Sequence, residues 1–235
     1  MNNLIDTNFH FSSDTPSGKD PDTFSPTLRR YHKILWSKPL PNGFDFNLTD
    51  TTTKVYLHHK SELGEFFLSS DAIGHTYSRQ KRMSKIISQI PSLEIDTFRK
   101  SSNTIGGYII FPSNKVDNKM TINGSRGINH KVKDRFDLTL ECIRLHYFNE
   151  DNPLSGTLHR YNDFFSLFEN FQGYVEFFLL QDLVSDDYLS IKFCLPFVGF
   201  DNPPLPDNIQ DYRLYKKNMS DFVLARNQRI LSFTG

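Results

Sequence analysis

The stretch DRFDLTLECIRLHY, residues 134–147, predicts a helix that is buried on two sides. Placed at about 100° per residue, its apolar residues form two stripes on roughly opposite sides, Phe136, Leu140, Ile143 and Tyr147 on one and Leu138, Cys142 and Leu145 on the other. A helix on a protein surface needs only one apolar stripe. We therefore expect this helix to lie between two layers of the fold.

Two polar seams separate the stripes. The seams consist of Asp137, Glu141 and Arg144 on one side and Arg135, Thr139 and His146 on the other. Charged side chains in such positions must pair inside the protein or face a solvated cleft. Internal pairing is available, because Glu141 and Arg144 are three residues apart on the helix, with Asp137 one turn behind.

The alternative is an anion-binding pocket at the start of this helix. Arg126, His130, Arg135 and His146 would converge there, beside backbone N–H groups that favour an anion. The preceding segment TINGSRG, residues 121–127, predicts a flexible glycine loop whose backbone could approach a phosphate closely. Both interpretations remain open on the sequence.

A second candidate region is the strand-like segment KVYLHHKSELGEFFLSSD, residues 54–71. Successive strand residues point to opposite faces, so only one of His58 and His59 can be buried. A strand histidine near Ser61, Glu65, Ser69, Ser70 and Asp71 could serve acid–base chemistry or nucleotide binding, or could only hydrogen-bond a loop. The catalytic candidates are thus His146, Glu141, Arg144 and His58, and the anion-binding candidates are Arg126, His130 and Arg135.

Common catalytic motifs are absent from the sequence. There is no phosphate-binding glycine loop that ends in Lys-Ser/Thr, no dinucleotide fingerprint, no HExxH and no GxSxG. Neither Cys142 nor Cys194 lies at a metal-ligand spacing from another Cys or His, so we expect buried thiols and no metal site. The residues indicate no particular cofactor.

The order of elements predicts an α+β fold. Strand-like segments dominate the N-terminal half, and helical patterns dominate the rest, including residues 133–148, residues 157–171 closed by Gly173, and a long final helix. A hairpin of two strands is expected over IGGYIIFPSNKVDNKMTING, residues 105–124, and a further strand over residues 188–197, which alternate strictly. We predict a mixed or antiparallel sheet packed against a helical C-terminal half, as one domain over 28–235 preceded by an irregular arm over 1–27.

The charge is balanced overall but uneven along the chain. The net charge is zero, yet residues 76–135 carry twelve basic and four acidic residues, whereas residues 136–190 carry two basic and ten acidic ones. The basic band over 79–135 could meet phosphate, or the two segments could neutralise each other. With no apolar run of membrane-spanning length and no basic, apolar leader at the N-terminus, we expect a soluble cytoplasmic protein without membrane contact.

Several long motifs resemble one family of uncharacterised bacterial proteins, a domain of unknown function. The motifs are KDPDTFSPTLRRYHKILWSKPLPNG (19–43), SELGEFFLSSDAIGHTY (61–77), TINGSRG (121–127) and DRFDLTLECIRLHY (134–147). The resemblance covers most of the chain from about residue 10 and implies a bacterial, single-domain, cytosolic protein. It implies no particular activity.

Two classes of function follow from these features. The first is a toxin- or defence-like factor that acts on nucleic acid or a nucleotide through a basic Arg/His pocket. It would work either as a metal-independent RNase or in an ADP-ribosyltransferase-like arrangement with a carboxylate such as Glu141. The second is a non-catalytic module whose aromatic-rich surface docks a protein partner. The sequence does not indicate an oligomeric state.

Overall fold

The computed structural model describes residues 5–52 and 56–234, and it confirms an α+β fold. Its α-helices are α1 (Pro21–Phe24), α2 (Pro26–Trp36), α3 (Ser84–Ile87), α4 (Ser92–Ser102), α5 (Ile122–Ile128), α6 (Phe136–Tyr147), α7 (Ser155–Leu158), α8 (Asn162–Ser166), α9 (Phe171–Phe177) and α10 (Ile209–Thr234). Its strands are β1 (Lys38–Pro39), β2 (Asp45–Phe46), β3 (Thr49–Asp50), β4 (Leu57–Ser61), β5 (Gly64–Ala72) and β6 (Tyr108–Pro112). Short 3₁₀ turns cover Phe11–Ser13, Lys81–Met83, Ile105–Gly107, His159–Tyr161 and Gln181–Leu183.

The strands form two antiparallel sheets. Strands β1 and β2 pair with each other, and β3, β4, β5 and β6 follow one another in the larger sheet. In the larger sheet, Asp71 at the end of β5 lies opposite Ile109 of β6. Every residue of β6 is buried, which places this strand between packed layers.

Helix α6 is buried on two sides, as its sequence predicts. All eight residues from Phe136 to Ile143 are buried, including the polar ones. The final helix α10 likewise buries an apolar stripe, and it packs on α4 and on the turn over Ile105–Gly107. The stripe consists of Tyr212, Tyr215, Met219, Phe222, Val223 and Ile230. The periodicity of these two helices therefore located much of the core correctly.

The N-terminal arm is docked on this body. The Phe11 ring is fully buried and meets the Tyr108 ring edge-on, with the centroids 5.4 Å apart. The backbone N–H of Phe11 donates to the carbonyl of Asn103 at 3.1 Å. Helix α1, which follows in the arm, packs on β5. The arm thus contributes to the core although its sequence shows no sustained period.

The strand predicted over residues 188–197 is wrong. These residues lie outside both sheets, and one isolated bridge joins Ile191 to Val184. Leu189 is 58% exposed, so the apolar alternation does not correspond to one buried face. The backbone N–H of Cys194 donates to the Asp137 carboxylate of α6 at 2.8 Å, a side-chain partner in place of a neighbouring strand.

The flexible loop predicted over TINGSRG, and the hairpin strand ending there, are also wrong. Residues Ile122–Ile128 form α5, with Thr121 as the N-cap whose hydroxyl accepts from the N–H of Gly124. A Cβ at Gly124 would lie 2.5 Å from the Met120 side chain, and one at Gly127 would lie 3.2 Å from the Asp134 carboxylate. These glycines permit close packing and do not mark a flexible loop.

The helix predicted over residues 157–171 is divided in the structure. Helices α7 and α8 are separated by the turn over His159–Tyr161, and Glu169 adopts a φ of 64° before α9 begins. Gly173, predicted as a C-terminal cap, lies inside α9, where its N–H donates to the N-cap Asn170 at 2.9 Å. The continuous apolar face therefore belongs to successive short helices.

A buried arginine joins the final helix to the rest of the fold. Arg226 is fully buried, and its guanidinium donates to the carbonyl oxygens of Phe178, Gly106 and Tyr108 at 2.7–3.2 Å. It also lies against the Trp36 ring, 5.7 Å from the centroid. Because carbonyl dipoles replace the lost water, one side chain connects α10, α9 and the start of β6.

We predict that Arg226→Met destabilises the fold by about 3 kcal/mol, because three buried carbonyl groups lose their donor. Urea unfolding measures the effect. Gln228→Ala, an exposed position on the same helix, is the control and should stay within about 0.5 kcal/mol of the wild type. Equal stability of the two variants would contradict this account of Arg226.

Candidate functional site

A cleft of about 790 Å³ opens between the N-terminal arm, the segment after β5 and helix α4. Four carboxyl groups line it, those of Asp20, Asp22, Asp71 and Asp134. The other lining side chains include the aromatic residues Tyr77, Phe98 and Tyr108, the imidazole of His75 and the cations of Lys19, Arg79 and Arg99. This volume lies in the usual range for small-molecule sites.

Local interactions in the arm place Asp22 in the cleft. Pro21 opens the short helix α1, which packs on β5. The carboxylate of Asp14 accepts from the Ser25 hydroxyl at 2.6 Å and from the Thr27 N–H at 3.0 Å, which fixes the chain on the other side of α1. The Ser70 hydroxyl of β5 then donates to Asp22 Oδ1 at 3.2 Å.

Asp71 is held by a buried arginine. Arg126 Nη1 lies 2.5 Å from Asp71 Oδ2, and the Arg126 side chain is 0% exposed. The guanidinium also donates to the Asp134 carbonyl at 3.0 Å and to the Thr139 hydroxyl at 3.1 Å. Burial lowers the pKa of Arg126, but its attraction to Asp71 and Asp134 outweighs this and raises the pKa overall. The Asp71 carboxylate is therefore paired with a permanent cation.

Asp22 differs from Asp71 in its surroundings. Burial, followed by the negative charges of Asp71 and Asp20, raises the pKa of Asp22 from 3.8 to about 8. The hydrogen bond from Ser70 and the charge of Arg126 act in the opposite direction. A carboxyl group that keeps its proton at neutral pH thus lies near one that is paired with a guanidinium, an arrangement that separates the roles of acid and base.

The third titratable group of the cleft is His75. Its Nε2 contacts the Ala72 carbonyl at 3.0 Å, so Nε2 carries the proton and Nδ1 is an acceptor. Burial, followed by the charge of Arg126, lowers the pKa of His75. His75 is therefore a neutral hydrogen-bonding group and not the cation expected of an anion site.

The residues predicted at the start of α6 lie in an internal network. Arg126 and Arg135 are both buried, and Arg135 pairs with Asp137 while its Nη1 donates to the Pro204 carbonyl at 2.9 Å. Glu141 and Arg144 pair with each other through two contacts of 2.7 and 2.8 Å. These contacts support the interpretation in which the polar seams are neutralised internally.

The predicted histidines lie apart from the cleft lining. His130 is exposed on the segment between α5 and α6. The His146 ring packs against the rings of His159 and Phe165, with both centroid distances 5.2 Å. On β4, His58 Nε2 lies 2.8 Å from Glu65 Oε1. His59 is the buried member of the histidine pair, as the alternation of a strand requires.

The basic band is not neutralised as a block by the acidic segment. Among the described residues, cations of the band form ion pairs with Asp71, Asp96, Asp134, Asp137, Asp201 and Asp207. Of these partners, Asp137 alone belongs to residues 136–190. Several cations of the band, including Arg79, Lys81 and Lys85, are exposed. The band is thus part buried network and part solvated surface.

Asp22 is not among the site residues predicted from the sequence, because the arm that contains it was predicted to be irregular. Asp71 and Ser70 were noted, but only as neighbours of a strand histidine. The available indication was the segment KDPDTFSPT, where Asp22 sits in a proline-initiated helical turn between two serine- and proline-rich stretches. Such a turn in a long arm predicts a fixed position, although it does not identify the partner of the carboxylate.

We predict that Asp22 makes the fold less stable as the pH rises. The folded pKa of about 8 exceeds the ordinary 3.8, so the folded state holds an extra proton between these values and loses stability as the pH passes through the folded pKa. From about pH 5 to pH 9, Asp22→Asn should gain about 4 kcal/mol over the wild type, nearly all of it below pH 8. Urea unfolding measures this, with Asp163→Asn, an exposed aspartate, as the control; a difference independent of pH would refute it.

A second prediction concerns Arg126. Its replacement by Ala leaves the Asp71 carboxylate without its buried partner, so we expect a loss of about 3–5 kcal/mol in unfolding free energy. His130→Ala, at an exposed position nearby in the chain, should change the free energy by less than about 0.5 kcal/mol. If the Arg126→Ala protein were folded and equally stable, the result would contradict internal pairing and support the interpretation in which Arg126 belongs to an anion-binding pocket.

Within residues 5–52 and 56–234, no helix combines the length and apolarity needed to cross a membrane, and no group of three or more His, Cys, Asp or Glu side chains is arranged to hold a metal ion. No curated protein and no solved structure matches the chain. A family model described as "Family of unknown function (DUF6994)" matches residues 5–230. The chain therefore belongs to this family of unknown function.

Proposed function

We propose that this protein is an enzyme that cleaves or transfers a glycosidic bond of a nucleotide or a related phosphorylated nucleoside. The observation that carries the proposal is the pair of carboxyl groups in one cleft, where Asp22 keeps its proton at neutral pH and Asp71 is ion-paired with Arg126. Asp22 would protonate the leaving group, and Asp71 would stabilise the positive charge that develops on the sugar or activate the attacking water.

The lining of the cleft supports a nucleotide-like substrate. Carboxylates bind the hydroxyl groups of a sugar, and the edges of Tyr77, Phe98 and Tyr108 provide an apolar wall for a base. The cations Lys19 and Arg79 are exposed beside these groups and could meet a phosphate. This proposal keeps the substrate class predicted from the sequence but transfers the chemistry from the Arg/His pocket to the carboxyl pair.

The proposed location is the bacterial cytoplasm. Both cysteines, Cys142 and Cys194, are free and buried, as is usual in a reducing compartment. Consumption of a nucleotide there would also account for a toxin- or defence-like role. Growth arrest on expression of the wild type, but not of Asp22→Asn, would support that role.

We predict that Asp22→Asn and Asp71→Asn each lower turnover by at least about 100-fold, the usual contribution of a general acid or base. The measurement is release of free base or sugar, followed by mass spectrometry, from a panel of common ribonucleotides, NAD and a short single-stranded RNA. Asp163→Asn, whose carboxylate is exposed on α8, is the matched control and should keep the wild-type rate. Undiminished turnover in both cleft variants would exclude the carboxyl pair as the catalytic centre.

A second candidate function is protein docking through the irregular segment over residues 185–206. Val198 is 91% exposed there, beside a cluster of rings in which Phe197 lies 4.2 Å from Phe193 and 5.1 Å from Phe200 between ring centroids. Exposed apolar groups beside clustered aromatic rings are typical of interaction surfaces. This function predicts that Val198→Asp, and not Asp22→Asn, removes the cellular phenotype.

A further inference from the structure

A line of hydrogen bonds, buried at its start, runs from helix α2 through strand β5 to Asp22 in the cleft. Trp36 Nε1 donates to His32 Nδ1 at 3.0 Å, His32 Nε2 lies 2.9 Å from Ser70 Oγ, and Ser70 Oγ lies 3.2 Å from Asp22 Oδ1. Trp36 is fully buried and His32 is 1% exposed, so water does not compete for the bond between them, whereas Ser70 and Asp22 are partly buried. The line ends on the carboxyl group to which we assign the role of acid.

The first donor fixes the tautomer of His32 and therefore the direction of the bond from His32 to Ser70. An indole N–H can only donate, so His32 Nδ1 must be the acceptor. A neutral imidazole has one proton, which therefore lies on Nε2 and is donated to Ser70 Oγ. The hydroxyl of Ser70 then directs its own proton to Asp22 Oδ1.

The surroundings keep His32 neutral. Burial, followed by the positive charge of Arg226, lowers the pKa of His32 to about 3. Arg226 lies against the ring of Trp36, which is four residues from His32 on the same helix. A protonated His32 would have to displace the Trp36 donor and lie close to a second buried cation.

We propose that Trp36, His32 and Ser70 are positioning residues that hold Asp22 and direct its proton to Oδ2. A carboxylic acid accepts best through its carbonyl oxygen, and Ser70 donates to Oδ1, so the transferable proton belongs on the other oxygen. The inference rests on the proposed function, because only a general acid requires its proton on a particular oxygen. It assigns a function to His32, a buried histidine that has no part in the reaction proposed for the carboxyl pair.

Other charges also act on Asp22 and must be held constant in any test. Asp20 lies on the same segment, Asp71 on β5 and Arg126 on α5, and the phenol of Tyr108 on β6 interacts with the Asp22 charge. Substitutions of Ser70 leave all four groups in place. The hydrogen bond from Ser70 can therefore be removed without a change in net charge.

The direct test is NMR of the full chain with labelled histidine and aspartate. Long-range proton–nitrogen spectra should show His32 as the Nε2–H tautomer throughout about pH 5–9, well above its folded pKa. Trp36→Phe retains an aromatic ring but removes the N–H donor, so a second His32 tautomer should become visible. An Nδ1–H or doubly protonated His32 in the wild type would overturn the proposal.

The titration of the Asp22 carboxyl carbon tests the last bond of the line. Ser70→Ala should raise the Asp22 midpoint by about 0.5–1 pH unit, because a hydrogen bond that favours the carboxylate is lost. Ser70→Thr retains the hydroxyl and should restore the wild-type midpoint, and Ser69→Ala, the neighbouring position, is the matched control. An Asp22 midpoint that Ser70→Ala leaves unchanged would also overturn the proposal.

These measurements separate the inference from the proposed function. A wild-type Asp22 midpoint near the ordinary value for aspartate would remove the general acid and with it the proposed function, whatever the His32 tautomer. An elevated midpoint with the wrong tautomer would leave the general acid in place and refute only the positioning line.

Discussion

The ion pair between Arg126 and Asp71 is the interaction on which both the fold and the cleft depend. A guanidinium with no exposed surface loses its hydration, and that cost is offset only if every donor has a partner. Arg126 obtains its partners from β5, from the segment before α6 and from Thr139 within α6. The same contacts that connect these elements also fix a negative charge in the wall of the cleft.

That fixed charge explains why the second carboxyl group behaves differently. Asp71 has a cation at 2.5 Å, whereas Asp22 accepts a hydrogen bond from Ser70 and lies in the field of Asp71 and Asp20. Two neighbouring carboxyl groups with one close cation cannot ionise equally, so the proton stays on the unpaired one. Docking of the arm forces Asp22 into this environment, and the core contacts of Phe11 offset the cost.

The sequence predicted those features that depend on local periodicity. The two apolar stripes of α6 could be predicted because the side of the helix on which a residue lies depends on its place in the sequence and not on distant partners. The prediction for residues 188–197 failed because Cys194 is held by Asp137, 57 positions away in the chain, through a contact that no local pattern encodes. The prediction of a flexible loop over TINGSRG was wrong because a glycine is compatible with a flexible backbone and with close packing. Only the atoms that surround Gly124 and Gly127 distinguish these two cases.

The candidate site was less predictable for a related reason. Histidine was favoured as the acid–base residue because its ordinary pKa lies near neutrality, and aspartate was not. Burial reverses this order here: the pKa of His32 falls to about 3, while that of Asp22 rises to about 8. Desolvation disfavours the charged form of both groups. It therefore lowers the pKa of the histidine, away from neutral pH, and raises the pKa of the aspartate, toward neutral pH. In a protein this rich in buried aromatic rings, the residue type that titrates near neutral pH is therefore decided by the packing around it.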